Sequence, residues 1–216
     1  HGLCGSSSNW RTLGRQLARS RPVVLLDARN HGESPHSATM SYEEQAADIA
    51  RYLEAQALGA PVVLGHSMGG KAAMVLSLSA EATLSGLIVV DIAPVAYTGS
   101  DEHVALIDAM LSLDAADLRD RRSADAALAR HVDDPGLRAF LLHNLKRNGP
   151  GLEWRINLEA IRDAVGELRG FPAGDTPNSG QPAFEGPALF LRGGDSDYVL
   201  PEHDEAIRAR FPRARR

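Results

Sequence analysis

The sequence is poor in the features that mark several protein classes. It holds one cysteine, Cys4, so an internal disulfide is excluded and a reducing compartment is expected. No apolar run approaches the ~20 residues that a membrane-spanning helix requires. No charged leader followed by an apolar stretch opens the chain either, so the expected location is cytoplasmic, with no membrane partner. The net charge of -5 is modest and no dense basic run precedes the final RFPRARR, which argues against a nucleic-acid partner. Those last arginines read as a solvated helix end. Internal repeats and low-complexity tracts are lacking. What is present, 216 residues of which 44% are hydrophobic, suffices for one substantial core, so one domain with an insertion is the expectation.

Four short runs rich in Val, Ile and Leu read as strands buried on both faces: Pro22 to Asp27, Pro61 to His66, Gly86 to Asp91 and Pro187 to Arg192. Between the first two, Ser41 with Glu44 forms a capping box; Ala46, Ile49, Ala50, Leu53 and Ala57 then fall at helical spacing, and Gly59 closes the element. Alternating strands and helices predict an α/β fold with a mostly parallel sheet flanked by helices, whose chemistry gathers at the carboxyl ends of the strands. From about Ala93 to Gly186 the alternation stops. Helical segments around Val104 to Leu113, Ala124 to His131 and Leu137 to Leu145 predict an inserted helical cap over 93–186, against a core of 1–92 and 187–216. The Gly- and Pro-rich Gly170 to Pro187 reads as a long connection back to the sheet.

The stretch GHSMGGKA, Gly65 to Ala72, satisfies two patterns at once. As a phosphate-cradling G-x-x-x-x-G-K loop it would need Ser or Thr after Lys71 to hold Mg²⁺, and Ala72 stands there. As G-x-S-x-G it uses each residue. Ser67 sits at a sharp strand-to-helix turn, and Gly65 and Gly69 remove side chains that would collide. Gly70, Ala72 and Ala73 let the next helix lie close on the sheet. The backbone N–H of Met68 is then aimed at an oxyanion from a helix N-terminus. A second donor is expected from the HGLCGSSSNW segment, at the N–H of Leu3, with His1 and Gly2 ending a central strand.

HGLCGS, DARNHGESP, GHSMGGKA, VVDIAPVAY, EWRINLEAI and LFLRGGDSDYV lie in order along the chain. Together they resemble the α/β-hydrolase fold, and within it the small bacterial esterases of the YbfF group. The resemblance implies a serine hydrolase of carboxylic esters or thioesters, with a small-molecule acyl substrate and neither metal nor organic cofactor. Lys71 then becomes an ordinary first-turn residue. Ser67 is expected to form an acyl-enzyme, a histidine to move the proton, and an acid to orient that histidine. The acid has two candidates. The YbfF-like pattern points to Asp91, whereas the commoner arrangement of the fold points to Asp197 in GGDSDYVLP.

The histidine should come last, on a loop after the final strand. After Asp91 the chain has only His103, His131 and His143, all in the cap, and His203, in the helix after Pro187 to Arg192. The expectation is therefore a fragment lacking its N-terminal strands and its last strand, with the catalytic histidine beyond residue 216 and little activity of its own. His31 and His36 in RNHGESPH lack a third ligand nearby, and the resemblance explains them as a structural turn. The same serine also serves acyltransferases and carbon–carbon bond hydrolases, and a binding protein can keep the fold without the chemistry. Leu106, Met110, Leu111, Phe140, Leu141 and Leu145 are candidates for an acyl pocket or for simple packing.

Overall fold

The computed structural model describes residues 1–79, 81–98, 101–172 and 182–216. Its elements run α1 (Arg11–Leu17), α2 (Tyr42–Ala55), β1 (Val62–His66), α3 (Met68–Leu78), β2 (Gly86–Val90), α4 (Glu102–Leu111), α5 (Arg121–Leu128) and α6 (Pro135–Leu142). They continue with β3 (Leu145–Asn148), β4 (Gly151–Trp154), α7 (Leu158–Leu168), β5 (Ala188–Leu191), α8 (Asp204–Arg210) and β6 (Ala214–Arg215). The chain forms two compact units. The first comprises His1–Leu3, Ser41–Thr98 and Gly166–Arg216; the second comprises Cys4–Met40 and Gly99–Val165.

The first unit is built on a sheet in the order β1-β2-β5-β6. Its three pairings are parallel; Val62 faces Gly86 and His66 faces Val90 at the two ends of the β1–β2 pair. Two helices pack with it for reasons visible in their residues. The capping box of α2 is formed as expected, Glu44 N–H donating to Ser41 Oγ and Ser41 N–H to the Glu44 carboxylate, a device worth about 1 kcal/mol. The helix stops at Ala55, two residues short of the expected Ala57, which itself takes a left-handed φ of 49°. Along α3, Ala72, Ala73, Met74 and Leu76 are buried. A Cβ on Gly70 would lie 2.7 Å from Ile92 Cγ2, so only glycine permits this close an approach to the exit of β2. Met74 and Leu76, at 0% exposure, each contribute roughly 1.5–3 kcal/mol by burial.

Two expected features of this unit differ. His1 and Gly2 form no strand; instead His1 O accepts from Gly69 N–H at 3.1 Å. Of the final arginines, Arg213, Arg215 and Arg216 are exposed as expected, but Arg210 is not part of a solvated helix end. Arg210 is 1% exposed with its guanidinium 5.4 Å from the Phe171 ring, and Ala214–Arg215 pair with β5. The physical reason is the core around Phe190, Phe211 and Ile207, which draws the end of α8 inward and leaves the arginine stem among apolar groups.

In the second unit, Pro22 to Asp27 carries no strand assignment, and Val24 and Leu25 are 47% and 39% exposed. A strand exists only through its ladder, and among the described residues nothing pairs with this segment. The three expected cap helices are present, displaced toward their N-termini. Asp120 accepts from Ser123 N–H, and Asp134 accepts from Gly136 and Leu137 N–H ahead of Pro135, so these side chains start α5 and α6 earlier than the apolar spacing does. An all-helical insertion is not observed, because β3 and β4 form an antiparallel hairpin closed by Gly149 and Pro150, with Lys146 paired to Glu153 at 3.1 Å. The dipeptides N-G and P-G between LKRN and GLEW carried that signal. Half of the connection expected over Gly170 to Pro187, residues 173–181, lies outside the described residues. Among those described, no helix is long and apolar enough to cross a membrane.

Candidate active site

The parallel register brings the candidate residues of the first unit to one end of the sheet. His66 pairs with Val90, and the next residue, Ser67, donates its backbone N–H to Val90 O at 2.9 Å. Asp91 directly follows Val90. Ser67 therefore leaves β1, and Asp91 leaves β2, at the same level of adjacent strands.

Ser67 has φ 51° and ψ −118° at the N-cap of α3, a region sparsely populated by residues with a side chain. Its neighbours explain how the turn is held. A Cβ on Gly65 would lie 2.1 Å from Gly69 O, and one on Gly69 would lie 2.7 Å from His1 O. Both expected glycine roles are thus observed as collisions avoided. The opening segment lies against the same turn: a Cβ on Gly2 would stand 3.2 Å from His66 Nδ1 and 3.4 Å from Ser67 Cβ. Among the described residues no acceptor engages the N–H of Leu3 or of Met68, and no partner holds the Ser67 hydroxyl.

Asp91 also takes a left-handed φ, 57°, which an aspartate tolerates better than most side chains. Its N–H donates to Leu191 O at 2.7 Å, and its Oδ1 accepts from Gly193 N–H at 2.9 Å. The carboxylate is half-buried and fixed. Asp197, on the loop after β5, is exposed, and the turn there is closed by Ser196, whose Oγ accepts from Tyr198 N–H at 3.2 Å. Beside the serine, burial lowers the His66 pKa below its usual value, against the opposing field of Asp91, so this imidazole is neutral near pH 7.

The remaining histidines are placed as follows. His203, in a short 3-10 turn before α8, accepts from Leu200 N–H through Nδ1 at 3.1 Å. His103, His131 and His143 are exposed on the second unit. In that unit His31 is 0% exposed; Nε2 accepts from Cys4 N–H at 3.1 Å and Nδ1 donates to Arg29 O at 3.0 Å. His36 is bonded to Arg155 O at 2.8 Å. These two side chains fasten a turn. Of the candidate pocket residues, Met110, Leu141 and Leu145 are buried in the packing of the second unit, and Leu111 is 41% exposed.

A phosphate-loop geometry is not formed. Lys71 is 1% exposed and its Nζ donates to Arg169 O at 2.8 Å and Gly170 O at 2.6 Å, turned away from any cradle of the Gly65–Gly70 backbone. Nor is it the ordinary first-turn residue expected. Nothing in the local sequence announces these partners, which lie 98 and 99 residues away.

The profile of the alpha/beta hydrolase fold family matches residues 1–216. The chain belongs to the α/β-hydrolase fold family. This α/β-hydrolase is 39% identical to the sn-1-specific diacylglycerol lipase ABHD11 of Mus musculus over 99% of its own length and 70% of the relative's. It is 36% identical to Esterase YbfF of Escherichia coli, covering all of this chain and 80% of that one. Among solved structures, a marine microorganism esterase superposes with a TM-score of 0.92 at 36% identity, covering 100% of this chain and 82% of the other. Relatives named as esterases and lipases support a hydrolase family.

Proposed function

We propose that this α/β-hydrolase cleaves carboxylic esters or thioesters of small molecules through an acyl-enzyme on Ser67. The observation that carries it is the Ser67 turn, strained at φ 51°, with its hydroxyl unengaged and with the Leu3 and Met68 N–H groups open beside it. Ser67 Oγ attacks the acyl carbonyl carbon as its proton passes to a histidine base. The negative charge that develops on the carbonyl oxygen is met by the Leu3 and Met68 N–H donors, at the positive end of α3. Collapse breaks the bond to the alcohol or thiol, which leaves with the histidine's proton. Water then attacks the acyl-enzyme by the reverse steps and frees Ser67. Asp91 is the acid that orients the histidine. Its support is position: it leaves the strand adjacent to β1 directly after the residue paired with His66, and its carboxylate is already held by Gly193 N–H.

The test is labelling with a fluorophosphonate probe, comparing the 216-residue chain, the product of its complete reading frame, and Ser67→Ala in both. Labelling that requires Ser67 supports the proposal. A folded protein that never labels at Ser67 contradicts it, and favours a binding protein that keeps the fold without the chemistry.

A further inference from the structure

Lys71 and Tyr97 carry polar contacts that the reaction as proposed does not use. Lys71 is in the first turn of α3, and its own N–H donates to Ser67 O at 3.0 Å. Its ammonium donates to the carbonyls of Arg169 and Gly170 and stands 4.9 Å from the centre of the Tyr97 ring. Arg169 O also accepts from Tyr97 N–H at 3.0 Å, so one carbonyl is shared by the lysine and the tyrosine. At its other end, the Tyr97 hydroxyl accepts from Ala93 N–H at 2.8 Å and donates to Tyr198 O at 2.5 Å. Ala93 is two residues after Asp91, and Tyr198 follows Asp197. That hydroxyl therefore ties together the loops leaving β2 and β5.

A continuous series of contacts results. It runs from Ser67 O through Lys71 to Arg169 O, on to Tyr97, and through its hydroxyl to Ala93 and the segment that begins at Asp91. Every link is inside the first unit, and Ala93 at its far end is 0% exposed. Burial raises the pKa of Tyr97, with the field of Asp91 adding to it, so the hydroxyl keeps the proton it donates to Tyr198 O. An ammonium beneath a tyrosine ring gains from the negative face of the ring, which holds the ring's plane.

We infer that Lys71 and Tyr97 are positioning residues that set Asp91 relative to Ser67 through the shared Arg169 carbonyl and the Ala93–Tyr97–Tyr198 bridge. The inference rests on the serine and acid roles proposed above. Tyr97→Phe removes only the hydroxyl and leaves the ring on Lys71. Without the bridge the loop after Asp91 loses one anchor, and the carboxylate holds the histidine less well. A misplacement of order 1 Å typically costs up to ~100-fold in rate.

The experiment measures kcat, KM and the pH profile of ester hydrolysis by the product of the complete reading frame, with Ser67→Ala, Tyr97→Phe, Lys71→Met and Tyr42→Phe. Tyr42 is the matched control: its ring also lies near Lys71, its centre 5.6 Å from Nζ, but its buried hydroxyl donates to Leu168 O at 2.7 Å and not to the loops that leave β2 and β5, so Tyr42→Phe removes a hydroxyl while sparing the Ala93–Tyr97–Tyr198 bridge. The expected result is a fall in kcat of about 10- to 100-fold in Tyr97→Phe with KM within ~2-fold. Its acid limb should move to lower pH, because a histidine released from its carboxylate loses a stabilised proton. Tyr42→Phe should keep wild-type kcat and profile. Lys71→Met should reproduce the kcat loss, and stands in if Tyr97→Phe does not fold. Wild-type kcat and profile in Tyr97→Phe, or an equal loss in Tyr42→Phe, overturns the positioning role while leaving the serine reading intact. Turnover that survives Ser67→Ala overturns the serine reading itself.

Discussion

The turn at Ser67 and the loop from Asp27 to Gly32 are built from the same materials and put them to opposite uses. Each places residues in the left-handed region, Ser67 at φ 51° in one and Asn30 at 66° with Gly32 at 53° in the other. Each depends on glycine, since a Cβ on Gly32 would lie 2.1 Å from Asp27 Cγ, as close as one on Gly65 would come to Gly69 O. Each has an imidazole shielded from solvent, His31 fully buried and His66 half-buried. In the Asp27 loop most of the polar groups satisfy one another: Asp27 accepts from Ser7 and Glu33 N–H, Asn30 Oδ1 accepts from Ser37 N–H, and both His31 nitrogens are engaged, while the buried Asn30 Nδ2 has no partner among the described residues. At the Ser67 turn a hydroxyl and two backbone donors are left open. Strain whose polar groups are mostly paired within the loop is architecture; strain that leaves a hydroxyl and two backbone donors unengaged at one turn is where chemistry is to be sought.

That contrast breaks most sharply at the serine. Ser67→Ala should remove ester turnover almost entirely, by up to about 10⁶-fold in kcat, as the loss of a serine nucleophile does in a well-studied protease. Steady-state kinetics of the complete reading-frame product, with its thermal midpoint held near wild type, checks this. The acid should come next. Asp91→Asn is expected to lower kcat by roughly 10⁴-fold, the cost of leaving a triad histidine in the wrong tautomer, whereas Asp197→Asn should stay within a few-fold of wild type. Equal losses in the two would undo the preference for Asp91.

Glycine substitutions sharpen the same comparison in stability. Gly65→Ala and Gly32→Ala should each cost on the order of 3 kcal/mol in denaturant unfolding, because backbone or a fixed carboxylate must move to admit the methyl. Only Gly65→Ala should also slow probe labelling of Ser67 per folded molecule.

The last effect, absent at neutral pH and developing only on acidification, concerns His31, whose pKa is lowered to about 4 by burial. Its unfolded value is near 6.5, so below that the unfolded chain binds a proton that the folded chain refuses. Stability from this group is complete above about pH 6.5 and falls as pH drops toward 4, by up to roughly 3 kcal/mol. His31→Gln should flatten the pH dependence of the unfolding free energy across that window; an unchanged slope would show that His31 is not its source.

How much of this could be read from the chain depends on the range over which each feature is decided. The Ser67 turn is legible because Gly65 is demanded by an atom four residues away, Gly69 O, although the demand on Gly69 itself comes from His1 O at the far end of the unit's sequence. The place of Asp91 at a strand exit is legible because a short apolar run leads straight to it, whereas the choice between Asp91 and Asp197 as the acid is not. Pro22 to Asp27 misled for the converse reason: its Val- and Leu-rich composition is that of β2, yet a strand is defined by neighbours, and among the described residues it has none. Lys71 was read from its place in a helix turn, while its partners are two carbonyls near residue 170. Arg210 was read as solvated for want of any local sign that Phe171 would cover it.

The most direct measurement is the rate of fluorophosphonate labelling, with the modified residue located by peptide mass spectrometry, for wild type, Ser67→Ala and Asp91→Asn of the complete reading-frame product. The account predicts modification at Ser67 alone, none in Ser67→Ala, and slow labelling in Asp91→Asn. A folded wild type that stays unlabelled, or one labelled at another residue, would contradict it.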